Sequence, residues 1–226
     1  MTTIQIIKTT LLAFVALFGM QTIKAAERFV NFNQGDLLLN PQKQVTITTD
    51  EADFKAVDIA VHALAADFGR VTGQDAVLQH QADAKIIVGT IGHSKFIDQL
   101  AKKKLIDATQ LKGKREKFII TTVGKQLIIA GSDRRGTVYG IYELSAQMGV
   151  SPWYYWADVP TERHEEIYVN QGIYTDGEPA VAYRGIFLND EAPCLSTWIK
   201  NTFGTNYADH HLYERAFQLA LRLKGY

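Results

Sequence analysis

Two compact apolar runs constrain the fold of this chain more than any other feature. The run "AKIIVG" (84–89) is typical of a buried strand, and "KFIITTVGKQLIIAG" (117–131) indicates two strands joined at Gly124-Lys125. Helical patterns lie on either side of these runs. The sequence therefore predicts an α/β layer arrangement, in which helices cover a sheet.

Three segments carry the helical patterns. The first has apolar residues at helical spacing from Val57 to Phe68, and the third runs from about Thr137 to Gln147. The second lies within "TIGHSKFIDQLAKKKLI", where the apolar face consists of Phe96, Ile97, Leu100 and Leu105. The stretch 153–177 is interpreted as a connecting or edge segment. A new strand is predicted at Val181–Leu188.

Length and charge limit the class of protein. The chain has 226 residues, and 24 Lys and Arg balance 24 Asp and Glu. This composition is that of a globular protein with one or two domains. Because no basic field is present, nucleic acid is excluded as an expected partner.

The first residues have the pattern of a secretory leader. Lys8 precedes an apolar core from Leu11 to Met20, and small residues follow at Ala25 and Ala26. The apolar core has roughly ten residues, whereas a helix that spans a bilayer needs about 20. We therefore expect a signal peptide at 1–25, cleavage after Ala25, a secreted or periplasmic protein, and no permanent membrane span.

A cluster of polar residues follows the last predicted strand. In "YRGIFLNDEAP" (183–193), Asn189, Asp190 and Glu191 come directly after an apolar run. Reactive groups are often held at the tip of a strand, because the scaffold fixes their positions. This cluster is the first candidate site.

A second candidate lies in "GSDRRGTVYG" (131–140) and the aromatic run "WYYW" (153–156). One interpretation is structural: Asp133 caps the helix, and the aromatic residues fill a seam between domains. The other is sugar binding. Trp153 would stack on a sugar ring, while Arg134 and Arg135 would hold the carboxylate of a uronic acid.

Metal and nucleophile chemistry find no support in the sequence. The six histidines lack the spacing of a zinc motif, and "GTIGHSK" (89–95) lacks the spacing of a phosphate-binding loop. Cys194, the single cysteine, is expected to be a small buried hydrophobic residue. We therefore expect neither a metal nor a cofactor.

Three long stretches resemble one family. They are "IIVGTIGHSKFIDQL", "LIIAGSDRRGTVYGIYELSAQMGVSPWYYWADVP" and "YRGIFLNDEAP…FGTNY…YERAFQLALRLKGY". Together they are similar to the amino-terminal region of glycoside hydrolase family 115, the xylan α-1,2-glucuronidases.

The resemblance implies a fold and a set of domain boundaries. An α/β domain of the type associated with hexosaminidases (26–177, with its connecting segment) would precede the start of a (β/α)8 barrel (178–226). The first barrel strand would be "YRGIFLNDE", and the first barrel helix would lie in "HHLYERAFQLALRLKGY". Family members are several times longer than this chain. We therefore expect a truncated barrel and a fragment without activity of its own.

The resemblance also implies a reaction. Glucuronic or 4-O-methylglucuronic acid would be removed from glucuronoxylan, or from oligosaccharides derived from it, by an inverting mechanism with two carboxyl groups. Asp190 is the first catalytic candidate, with Glu191 and Asn189 as alternatives. Neighbouring residues on a strand project to opposite faces, so one partner is expected from other strands. Arg184 would orient a carboxylate or form a structural ion pair.

Two other interpretations remain open at this stage. The chain could be an exported carbohydrate-binding or interaction domain without catalysis. It could also belong to a hexosaminidase-like or other α-glucuronidase family, although the motifs "GSDRRG" and "YRGIFLNDEAP" argue against this. Homo-oligomerisation of the full-length form is compatible with the resemblance.

Overall fold

The strands of the main sheet are built from residues that alternate between two buried faces. The computed structural model describes residues 28–189, 192–205 and 210–226. The strands are β1 (Val30–Asn31), β2 (Leu37–Leu38), β3 (Thr46–Thr48), β4 (Val77–Gln79), β5 (Ile86–Thr90), β6 (Phe118–Val123), β7 (Gln126–Gly131), β8 (Tyr168–Val169) and β9 (Ile173–Tyr174). The helices are α1 (Lys55–Thr72), α2 (Lys95–Lys102), α3 (Arg134–Gln147), α4 (Cys194–Phe203) and α5 (His210–Arg222).

Six strands form the main sheet in the order β4-β3-β5-β7-β6-β9. Strands β4, β3, β5 and β7 are parallel, whereas β6 pairs antiparallel with both β7 and β9. The β6–β7 hairpin pairs Val123 with Gln126 across the turn at Gly124, where the backbone is left-handed (φ 59°). This confirms the predicted hairpin and the predicted buried strand at β5.

The two faces of the sheet contribute to different cores. Ile86, Val88, Leu127 and Ile129 belong to the larger core, which also contains the buried faces of α1 and α3. Ile87 and Ile128 point the other way and pack with the buried residues of α2. Because side chains alternate along a strand, an almost continuous apolar run is what a sheet covered on both faces requires.

A second, smaller sheet extends the larger core. Its order is β1-β8-β2, with both pairs antiparallel, and it places Val30 beside Val169. Strands β8 and β9 both lie in the stretch 153–177, which the sequence indicated as connecting or edge-like.

Helix α3 begins three residues earlier than its apolar pattern predicts. Asp133 is the N-cap, and its carboxylate accepts a hydrogen bond from the amide of Gly136 (2.8 Å). The structural interpretation of Asp133 is therefore correct.

Two expectations about individual side chains are wrong. Leu105 lies beyond the end of α2 and is 49% exposed, because the helix ends at Lys102 and the chain turns at Lys104 with a left-handed backbone. Cys194 is exposed rather than buried, because it is the first residue of α4.

The carboxy-terminal segment agrees only in part with the predicted barrel unit. The expected helix is present as α5, with Leu212, Ala216 and Leu219 buried. The predicted strand at Val181–Leu188 is not confirmed: this segment forms no strand, because none of the described residues pairs with it as a neighbouring strand. Helix α4, between these two pieces, was not predicted.

The predicted signal peptide, with its cleavage position after Ala25, lies outside the described residues. Across the ranges that the structure does describe, the helices are too short or too polar to cross a membrane.

The cap at Asp133 gives a test of the fold. Asp133 also accepts a hydrogen bond from the amide of Glu116 (2.8 Å), so Asp133→Ala leaves two amide groups without their acceptor. We expect a loss of about 1–2 kcal/mol in the free energy of unfolding, measured with urea. Arg134→Ala, at the exposed neighbouring position, is the control and should change it by less than about 0.5 kcal/mol. Equal losses in the two variants would contradict the capping role.

Candidate functional site

The predicted strand tip is only partly described. Asn189 is exposed, and the candidates Asp190 and Glu191 lie outside the described residues. The segment that leads to them forms no regular secondary structure and is largely exposed, and Phe187 is 91% accessible. Because these large apolar side chains remain in water, their burial does not hold the segment in place.

Arg184 supplies contacts that hold the base of the segment. Its Nη2 donates to Glu116 Oε2 (2.6 Å) and to the carbonyl of Lys224 (2.9 Å), and its Nε donates to the same carbonyl (3.0 Å). Its Nη1 donates to the carbonyls of Val181 (2.5 Å) and Ala182 (3.3 Å). The carbonyl of Arg184 accepts from the amide of Tyr226. Arg184 therefore joins the segment to both the sheet domain and the end of α5.

Glu116 is the acceptor on the sheet domain. It is 4% exposed and stands just before β6, with a left-handed backbone (φ 54°) that its bond to Asp133 holds in place. Its other carboxylate oxygen lies 3.4 Å from Arg135 Nη1. A buried carboxylate needs a charged partner, and Glu116 has two.

The two predicted arginines of α3 have different surroundings. Arg135 lies 3.4 Å above the ring of Tyr226 and pairs with Glu116, so it stabilises the junction. Arg134 is exposed at the start of α3. The structure therefore brings Arg135 and Arg184 together on the carboxylate of Glu116, whereas Arg134 is exposed.

Lys224 makes a second ionic contact at the same junction. Its ammonium group lies 2.6 Å from Glu143 and also contacts Asp176. Burial alone would lower the pKa of Lys224, but the charge of Glu143 and the hydrogen bonds to Asp176 and Glu143 outweigh it and raise that pKa. The hydroxyl of Tyr139 donates to the next carbonyl, that of Gly225 (2.6 Å).

These groups enclose a small cavity of about 130 Å³. Its lining includes Glu116, Tyr139, Asp176, Arg184 and Lys224. Its charged groups already form ion pairs, Arg184 with Glu116 and Lys224 with Asp176 and Glu143. The cavity is therefore better suited to joining two parts of the chain than to holding a sugar.

The aromatic run packs against the two carboxy-terminal helices. Trp156 donates from Nε1 to the carbonyl of Arg215 (3.4 Å), and its ring lies 5.5 Å from that of Trp198. Tyr154 donates to Gln218 Oε1 (3.3 Å). Trp153 is 43% exposed, so it is the member of the run with the most surface left for a ligand. Its contact with sugar stays a prediction.

The sequence did not indicate Glu116 or Lys224. Glu116 belongs to the charged run "KGKREK" (112–117), and Lys224 follows a helix end, so each has the local pattern of a surface residue. In the ranges covered by the structure, histidine, cysteine and carboxylate side chains do not gather in a group of three or more suited to a metal ion.

Comparison with known protein families identifies the class of protein as glycoside hydrolase. Residues 36–144 match the glycosyl hydrolase family 67 N-terminus, and residues 176–226 match glycosyl hydrolase family 115. Both are families of glycoside hydrolases. Glu116 lies in the first matched range and Arg184 in the second, so their ion pair joins the two ranges. No curated protein sequence gives a significant match.

A solved structure supports the same assignment. A family GH115 4-O-methyl-α-glucuronidase with specificity for decorated arabinogalactans is 35% identical, with a TM-score of 0.76 over 84% of this chain and 25% of its own. A Streptomyces plicatus β-hexosaminidase is more distant, at 13% identity and a TM-score of 0.45 over 66% of this chain and 25% of its own. The chain belongs to glycoside hydrolase family 115, as its motifs predicted, and spans about a quarter of that glucuronidase.

Lys224 gives a pH-dependent test of the junction. Because the pKa of Lys224 is raised in the folded state, its contribution to stability is full below the ordinary value of 10.5 and is lost as pH rises through the folded value. As pH rises above about 10.5, urea unfolding should therefore show a steeper loss of stability for the natural chain than for Lys224→Met. Lys112→Met, at an exposed position, should keep the natural slope. Identical slopes in all three proteins would contradict this role.

Proposed function

We propose that this chain is the amino-terminal part of an exported glycoside hydrolase that removes glucuronic or 4-O-methylglucuronic acid side chains from a plant polysaccharide. The observation that carries the proposal is the 35% identity to a 4-O-methyl-α-glucuronidase across 84% of the chain. The family 115 match over residues 176–226 includes the segment that leads to the polar residues Asn189, Asp190 and Glu191.

The described residues have a supporting role in this proposal. Glu116 and Lys224 hold the base of the segment 181–189 against the sheet domain, and the polar residues Asn189, Asp190 and Glu191 follow at its far end. Asn189 lies five positions after Arg184, which is at most roughly 17 Å along a fully extended chain. The sheet domain therefore acts as a rigid base for the site rather than as part of the reacting centre.

The reaction that we propose needs two carboxyl groups. One protonates the leaving glycosidic oxygen, and the other activates a water molecule on the opposite face of the sugar, at a separation of about 6.5–9.5 Å. Asp190 is the proposed member of this pair. Because neighbouring residues on a strand project to opposite faces, we expect the second group from another strand of a (β/α)8 barrel rather than from Glu191.

The polymer that carries the uronic acid is the finer part of the proposal. The family resemblance favours glucuronoxylan, whereas the similar glucuronidase has specificity for decorated arabinogalactans. The common element is a terminal 4-O-methylglucuronic acid, and we propose this group as the unit recognised. The leader pattern at 1–25 supports export to the periplasm or the medium, where such polymers are found.

The test compares the complete translation product of the reading frame that contains this sequence with residues 26–226 alone. We expect the former to release 4-O-methylglucuronic acid from glucuronoxylan or from decorated arabinogalactan, and the latter to release none. Asp190→Asn in the longer protein should lower the rate by roughly 10²-fold or more, because it removes the charge and the proton. Glu162→Gln is the control, because Glu162 is an exposed carboxylate outside the segment 181–191, and this variant should keep the natural rate.

Two outcomes would contradict the proposal. Sugar release by residues 26–226 would contradict the supporting role of the sheet domain. Binding of the polymers by the longer protein without any release would favour the alternative of a non-catalytic carbohydrate-binding protein. A change in substrate affinity alone in Asp190→Asn would move Asp190 from chemistry to binding.

A further inference from the structure

A groove of about 480 Å³ runs between α1 and α5, and its lining includes no described residue of the segment 181–189. Residues of α1 from Lys55 to Arg70 form one wall, and residues of α5 from Glu214 to Arg222 form the other. The lining positions on α1 recur every three or four residues, so a single face of the helix is used over about 22 Å. This volume and this place between two structural units are typical of ligand sites.

At one end of the groove, two arginines of its lining share the carboxylate of the buried Asp67. Asp67 is fully buried and pairs with Arg222 (Nη1 to Oδ2, 2.8 Å; Nη2 to Oδ1, 3.1 Å). Arg70 Nη1 also donates to Asp67 Oδ1 (3.1 Å). Two guanidinium groups on one carboxylate leave one positive charge in excess at this end.

The donors at this end of the groove are not all used. The Nε–H of Arg222 is buried and has no acceptor among the described residues, and Arg70 keeps 34% of its side chain accessible in the groove. Both guanidinium groups lie against Tyr154, at 4.3 Å for Arg70 and 5.1 Å for Arg222. The ring of Tyr154 therefore orients the two guanidinium groups, and a guanidinium group held in place suits a carboxylate.

Arg215 adds a further positive charge on the opposite wall. Its guanidinium lies over the ring of Tyr155 (4.7 Å) and forms no ion pair with the residues that the structure describes. Asp58, in contrast, is already neutralised by Lys55 (2.5 Å) and contacts His62 (3.4 Å). Glu214 is the remaining acidic residue of the lining. When Asp67 is included, four basic and three acidic residues lie at the groove. Its net charge is therefore positive, and it has donors near Tyr154.

We propose that this groove binds a sugar carboxylate, at a site whose lining residues lie outside the segment 181–189. Arg70 and Arg215 would hold the carboxylate from opposite walls, Tyr154 would keep Arg70 in position, and Gln218 would bind a hydroxyl. The choice of a uronic acid as the source of the carboxylate rests on the proposed function, whereas the anion site itself does not. Such a site would keep the protein on a polymer that bears several uronic acid groups.

The test uses the 226-residue chain itself and measures binding rather than hydrolysis. We expect glucuronic acid and a glucuronic acid-substituted xylotriose to shift amide resonances of residues along α1 and α5 in NMR titrations, with weak affinity, on the order of 1 mM. Xylotriose without the acid should produce no such shifts. Arg215→Gln and Arg70→Gln should each weaken binding tenfold or more, while Lys112→Gln should leave it unchanged.

The outcomes separate this proposal from the proposed function. Equal binding of neutral and acidic xylotriose, no binding at all, or unchanged affinity in Arg215→Gln would overturn it, whatever the hydrolysis assay shows. Competition by inorganic phosphate at the same concentration as glucuronic acid would overturn the sugar part, because the site would then select charge alone. If Arg70→Gln fails to fold, Arg215→Gln decides, because Arg215 makes no ion pair with the described residues.

Discussion

The arrangement of the carboxy-terminal segment depends on the ion pairs that the carboxylate of Glu116 forms. This carboxylate is almost fully buried, so its charge would be costly without partners, and Arg135 and Arg184 supply them. Arg135 comes from the sheet domain, whereas Arg184 comes from the segment that leads to the polar tip. The same carboxylate thus joins a rigid domain to a chain that forms no strand of its own.

Elements with a local pattern could be predicted from the sequence. Strands β5 to β7 are apolar on both faces, and α1 and α3 have apolar residues at helical spacing, so burial and periodicity both appear within a few residues. The predicted strand at Val181–Leu188 is different, because a strand exists only when a neighbour pairs with it. Its apolar pattern shows a capacity for pairing, and the described residues contain no partner that would use it.

The candidate site could be predicted only where a family motif carries it. The polar tip at Asn189, Asp190 and Glu191 is visible in sequence, but spacing alone does not give it a substrate. The residues that hold its base escape prediction for another reason. Glu116 meets Arg184 across 68 positions, and Lys224 meets Glu143 across 81, and no local pattern relates residues so far apart. Two roles were predicted for Arg184, and the structure shows the ion pair, which it forms with Glu116.

A double-mutant cycle on Glu116 and Arg184 tests the central claim most directly. The free energy of unfolding is measured for the natural chain, Glu116→Gln, Arg184→Gln and the double variant. If the pair joins the segment to the sheet domain, the coupling energy should be about 1.5–3 kcal/mol, as for a charge-assisted hydrogen bond with a buried acceptor. Additive effects, with a coupling below about 0.5 kcal/mol, would show that the segment is held by other contacts and would contradict the account.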